Sequence, residues 1–209
     1  MRIGFMGGTF SPPHIGHLHS AKAFIEELNL DRLIIIPAKV SPFKVNVQQT
    51  ASDKDRMEMA RLCFLSLDCD NCCVEVSDIE ISKDTTSYTI DTVNELKALY
   101  PNDELYMFVG SDMFLSLERW KNFKDIFEKC HIYTRTREYN ERYTMLLAKE
   151  KYEKTYGARV YLSNDQEIIV SSTDIRNALS SKSIETCQNL LTDEVFGYII
   201  KGGLYFDQH

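Results

Sequence analysis

The sequence predicts an α/β fold organised as a doubly wound parallel sheet. Short aliphatic runs such as Leu33-Ile34-Ile35-Ile36 suit strands that are covered on both faces. These runs alternate along the chain with segments whose apolar residues recur at helical spacing, beginning with Leu18, Ala21, Phe24, Ile25 and Leu28. No Pro/Gly/Ser-rich linker and no internal repeat interrupts the alternation, so the 209 residues are expected to form one domain over 1–209.

Each element follows from its own pattern. Residues 2–5 form a short apolar strand, and 17–28 the first helix. Residues 33–36 form a second strand, followed by a loop with Pro37, Pro42 and Phe43. Ser52 is a fitting N-cap, with Asp53 and Asp55 in the first turn of a helix reaching about residue 67. Residues 74–81 alternate like a strand. Residues 87–100 read as a helix closed by the turn Pro101-Asn102-Asp103. Residues 105–109 are a buried strand ending in Gly110-Ser111-Asp112, with a short helix over 114–117 and Trp120 opening the next segment. Strands are expected over 132–134 and 159–162, with a highly charged, exposed helix within 138–154 between them. Ser172 starts a helix over 173–179, and two short helices close the chain.

Composition narrows the function classes. An apolar content of 44% and a charged content of 26% are ordinary for a globular chain with a full core. A net charge of −7 argues against sequence-independent nucleic-acid binding, which needs a basic surface. No apolar run approaches the ~20 residues of a membrane span. The opening Met1-Arg2-Ile3-Gly4-Phe5 reads as a strand and not as a signal peptide, so a cytoplasmic protein is expected, with no membrane partner. The six cysteines are then reduced thiols. The cluster Cys69-Asp70-Asn71-Cys72-Cys73 has no second ligand pair nearby to close a zinc site, and reads as a loop.

The stretch Gly7-Gly8-Thr9-Phe10-Ser11-Pro12-Pro13-His14-Ile15-Gly16-His17 carries the most chemistry. A strand feeds a glycine turn, and the turn feeds a helix start bearing two imidazoles three residues apart, on one face. Gly16 removes a side chain between them and is expected to let a ligand approach the backbone. Orphan N–H groups at a helix start favour an anion, and two imidazoles added there suit a polyphosphate. A second helix start, Ser171-Ser172-Thr173-Asp174-Ile175-Arg176, offers hydroxyls, N–H groups and a permanently charged guanidinium. The expected design is one polyphosphate gripped between these two helix starts. The turn Gly-x-Gly-x-x-Gly is absent, which argues against an ordinary Rossmann dehydrogenase, and without Gly-Lys-Ser/Thr the chain is not a P-loop enzyme.

These two motifs resemble those of the nucleotidylyltransferase superfamily, and within it the chain is similar to the bacterial nicotinate-nucleotide adenylyltransferases. Three further stretches carry the resemblance. They are Ser87-Tyr88-Thr89-Ile90-Asp91-Thr92, Gly110-Ser111-Asp112 followed by Leu117 and Trp120, and Ser41-Pro42-Phe43-Lys44. Two departures stand out. Phe43 replaces a family histidine, and the family's Arg-Pro-Gly after the fifth strand appears as Arg135-Thr136-Arg137. The resemblance implies a Rossmann-like nucleotidylyltransferase fold with small C-terminal helices. It also implies adenylyl transfer from ATP to nicotinate mononucleotide, giving nicotinate adenine dinucleotide and pyrophosphate in NAD biosynthesis. His14, His17, Arg176 and Lys44 would be catalytic. Gly7, Gly8, Thr9, Phe10, Gly110, Asp112, Ser172 and Thr173 would bind ATP. Tyr88, Thr89 and Trp120 would bind the mononucleotide. Mg²⁺ would arrive with ATP and not on a protein cage, and a homo-oligomer is allowed. Other readings open at this point are a phosphopantetheine adenylyltransferase, a cytidylyltransferase and a nucleotide-binding module without turnover.

Overall fold

In a computed structural model, the protein is described over residues 1–39, 51–67, 69, 71–83, 88–137, 140–166, 168–181 and 183–206. Six strands, β1 (Arg2–Gly8), β2 (Arg32–Pro37), β3 (Cys73–Val76), β4 (Glu104–Val109), β5 (Cys130–Thr136) and β6 (Arg159–Gln166), form one sheet in the order β3-β2-β1-β4-β5-β6. Every pairing is parallel. The chain winds outward from β1 to β3, then returns to β4 on the other side of β1. The order therefore reverses between β1 and β4, and a crevice opens beyond their carboxyl ends.

The helices are α1 (Ile15–Leu28), α2 (Asp53–Phe64), α3 (Thr89–Leu99), α4 (Ser111–Phe114), α5 (Phe123–Lys129), α6 (Glu141–Tyr156), α7 (Ser172–Ser180) and α8 (Asp193–Gly202). They cover both faces. Alternate strand residues divide the core between two layers. Met6, Leu33 and Ile35 pack with α1, α2, α7 and α8. Ile3, Phe5, Ile34 and Ile36 pack with α3, α5 and α6. Gly4 is required where α1 crosses β1, because a Cβ there would stand 2.4 Å from Leu30 and 2.9 Å from Phe24.

Several elements differ from the sequence reading. The third strand ends at Val76, not 81, because the chain turns back through the Ser82 N–H to Asp78 carbonyl bond. The short helix after β4 lies over Ser111–Phe114 and gives way to a 3-10 turn, Leu117–Arg119, where a helix over 114–117 was expected. The charged helix α6 is only partly exposed, since Met145 and Tyr152 are buried on one side. The C-terminal elements are two 3-10 turns (Ile184–Thr186 and Gln188–Leu190) and the ten-residue α8. None of the six cysteines is in a disulfide. No helix among the described residues is long and apolar enough to cross a membrane.

Candidate active site

The carboxyl end of β1 delivers the glycine turn to the crevice. Phe10 makes the turn with φ 48° and sends its ring into the core, edge-on to Phe64 and to His17 at 5.2 Å each. The ring therefore supports His17 from beneath and is not on the surface facing a nucleotide. Of the expected ATP contacts at Gly7, Gly8, Thr9 and Phe10, Gly7 is exposed, Gly8 and Thr9 are half-buried, and Phe10 is buried.

His14 is the N-cap of α1, with extended backbone. Its Nδ1 accepts the His17 N–H at 3.4 Å, and the His17 Nδ1 accepts the His14 N–H at 3.2 Å. This is a capping box built from two imidazoles in place of Ser and Glu. The rings stack with centroids 3.7 Å apart. Because each Nδ1 is an acceptor, a neutral ring at either position carries its proton on Nε2. Burial pushes the His14 imidazole down to about 4, and the nearby Arg137 charge adds to the effect, so His14 is neutral at pH 7.

Gly16 has a different purpose from the one expected. A Cβ there would lie 2.9 Å from the Ile168 carbonyl oxygen and 3.1 Å from His14 Nδ1. The missing side chain admits the protein's own chain ahead of α7.

The second helix start meets the first. Ser171, not Ser172, caps α7, and its Oγ accepts the N–H groups of Thr173 and Asp174 at 3.2 and 3.4 Å. Two of the N–H groups expected to be open to phosphate are thus already paired. Ser172 Oγ donates to the Pro12 carbonyl at 2.9 Å. Arg176 Nη1 donates to the Ser11 carbonyl at 2.7 Å, and its Nη2 donates to Thr173 Oγ1 at 3.1 Å. The guanidinium of Arg176 and the imidazoles of His14 and His17 therefore border the same turn, 11–13.

Two residues that the sequence reading missed complete this clamp. Arg56, fully buried on α2, donates from Nη1 to the Thr9 carbonyl at 2.9 Å and from Nη2 to Asp53 at 2.6 Å. The Tyr205 hydroxyl lies 3.0 Å from Ser11 Oγ. Their partners sit 47 and 194 residues away, so no local pattern announces them. A basic residue on the apolar side of a helix was the single available hint for Arg56.

At the ends of β4 and β5, Gly110 caps α4 and Asp112 projects into solvent. Arg137, just past β5, brings Nη1 to 3.9 Å from Asp112 Oδ1. Further along the crevice, Thr89 opens α3 and Tyr88 precedes it without a side-chain cap. Tyr88 and Trp120 both pack on the same core layer, and Lys121 Nζ sits 4.2 Å over the Tyr88 ring. Lys44, with Ser41, Pro42 and Phe43, lies outside the described residues, as do Asp70 of the cysteine cluster and Ser87. No group of three or more His, Cys, Asp or Glu side chains disposed to hold a metal occurs among the described residues.

Residues 5–178 match the cytidylyltransferase-like family. A protein of Desulfitobacterium hafniense (strain Y51) named probable nicotinate-nucleotide adenylyltransferase is 35% identical, over 98% of this chain and 95% of its own. One of the same name from Carboxydothermus hydrogenoformans is 34% identical, over 98% of each. Among solved structures, a Plasmodium falciparum nicotinic acid mononucleotide adenylyltransferase complexed with APC superposes with a TM-score of 0.77. It shares 18% identity and covers 98% of this chain and 96% of that one, a likeness of fold.

Proposed function

The chain belongs to the cytidylyltransferase-like family and, within it, to the nicotinate-nucleotide adenylyltransferases, and from that premise we propose how its crevice performs adenylyl transfer. The enzyme joins ATP and nicotinate mononucleotide. A phosphate oxygen of the mononucleotide forms a bond to the α-phosphorus of ATP, the bond from that phosphorus to the bridging oxygen breaks, and pyrophosphate leaves with the electron pair. The attacking phosphate is already ionised at neutral pH, so the protein supplies positioning and charge stabilisation, with no general base and no covalent intermediate.

The observation that carries this reading is the stacked His14–His17 pair sharing the 11–13 turn with Arg176. Their Nε2–H groups are fixed donors for the α- and β-phosphates. Arg176 spends two N–H groups on the turn and on Thr173, and its remaining N–H groups serve the β- and γ-phosphates. Ser172, committed to Pro12, acts by fixing the turn. Gly7, Gly8, Thr9 and Gly110 line the nucleotide with backbone, and Asp112 takes the ribose hydroxyls. Trp120 stacks on the pyridine ring with Tyr88 on its other side, and Thr89 donates to the nicotinate carboxylate. Lys44 steers the mononucleotide phosphate. Mg²⁺ enters as part of the ATP substrate, held by phosphate oxygens and water. The chain works as one domain over 1–209.

The test is pyrophosphate release from ATP with and without nicotinate mononucleotide. Release is expected only with both present, and His17→Ala is expected to lower kcat by ~10²–10³. Equal release without the mononucleotide, or with CTP replacing ATP, overturns the reading.

A further inference from the structure

Arg137 stands in the crevice and has no task in the mechanism above. It follows the last residue of β5, and β5 lies beside β4 in the sheet. Its side chain reaches across the turn behind β4. Nη2 comes within 3.5 Å of the position a Cβ on Gly110 would take, and Nη1 within 3.9 Å of Asp112 Oδ1. Both partners are about half exposed, at 49% and 54%, so the pair itself adds little to stability. The Arg137 charge is also felt at the His14 imidazole. The main-chain N–H of Arg137 donates to Glu141 Oε2 at 3.2 Å, which anchors its backbone to the start of α6.

Asp112 is assigned to the ribose, and the imidazoles to the α- and β-phosphates. The α-phosphate hangs from the 5′ carbon of that ribose, so it must cross the gap between Asp112 and His14. We infer that Arg137 is a further phosphate-binding residue of this chain, placed to donate to a nonbridging oxygen of the ATP α-phosphate. The fork of the guanidinium suits two tasks at once, one edge toward the Asp112 carboxylate and another toward a phosphate oxygen. The α-phosphorus is where charge redistributes as the new bond forms, so a cation there favours the transition state as well as binding. The inference rests on the placement of ATP proposed above.

Two measurements on wild type, Arg137→Gly and Arg137→Lys separate it from that placement. The first is calorimetric titration with a nonhydrolysable ATP analogue. Arg137→Gly is expected to bind about tenfold more weakly, with Arg137→Lys recovering part of the loss. The second is steady-state pyrophosphate release. Arg137→Gly is expected to lower kcat/KM for ATP by tenfold or more, while KM for nicotinate mononucleotide stays within threefold. Analogue binding and kcat/KM for ATP both within twofold of wild type overturn the inference, even if the wild type makes dinucleotide. So does a loss spread equally over both substrates that lysine fails to recover. A wild type that binds the analogue but releases no pyrophosphate with the mononucleotide overturns the proposed reaction instead, and leaves the titration to judge Arg137.

Discussion

His14 combines two demands in one side chain: it caps a helix and it must remain a neutral donor. Burial and the Arg137 charge hold its imidazole near 4, against about 6.5 in an unfolded chain. The unfolded chain therefore takes up a proton first on acidification. The stability tied to this group is fully present above pH 6.5 and is lost as pH falls from about 6.5 toward 4. The shift corresponds to about 3 kcal/mol. Asparagine at this position still accepts the His17 N–H, so His14→Asn is expected to be flatter with pH. Urea denaturation at pH 7 and pH 4.5 checks this. Equal losses in wild type and variant between those values contradict the assignment. The two histidines were legible in the sequence because their spacing and the glycine turn are local. Their mutual capping was not, because a histidine N-cap bonded to a histidine one turn on is outside the usual Ser/Thr and Glu/Gln vocabulary.

α2 illustrates how a helix that touches no substrate can shape the site. Its start was readable: Ser52 Oγ accepts the Asp55 N–H at 3.1 Å, and Asp53 and Asp55 occupy the first turn. Its contribution to the site was not. Arg56 lies at 0% exposure beneath the glycine turn, joined to Asp53, which also meets Lys39 at 2.8 Å. Arg56→Met removes a donor from the Thr9 carbonyl and strips Asp53 of one partner. Because Asp53 keeps Lys39 and remains partly exposed, the expected cost is about 2–4 kcal/mol, at or below that of breaking a fully buried pair. Activity is expected to fall further than stability explains, since Thr9 leads into the histidine helix. A change below 1 kcal/mol in urea denaturation, with full activity, is incompatible with this role. Strand lengths show the same limit of local reading. β5 is buried along all seven residues, yet its polar members His131, Arg135 and Thr136 conceal that in the sequence, so only residues 132–134 were expected.

For the molecule as a whole, a doubly wound parallel sheet was predictable from alternation, while the order reversal between β1 and β4 that locates the crevice is seen only in the structure. The meeting of the two motifs depends on topology, because 165 residues separate Arg176 from Ser11. Ligand linkage tests that meeting. ATP at a hundred times its Kd stabilises a folded protein by about 2.7 kcal/mol. For a chain of this size that raises Tm by roughly 5–10 °C. Arg176→Met is expected to lose most of the rise, because the guanidinium both serves the phosphates and fastens the turn. A melting scan in which wild type and variant gain equally from ATP speaks against a shared cleft.

The fastening of turn 11–13 by Ser172, Arg176 and Tyr205 has a consequence for biosynthesis. During translation the histidine turn emerges well before Ser172, Arg176 and Tyr205 and waits for them. A nascent polypeptide still tethered to the ribosome can pair β1 with β2, yet it lacks the distal side chains that set the turn. Nucleotide affinity therefore arises only after residues 172–205 have been made, so chains stalled before them do not sequester cellular ATP.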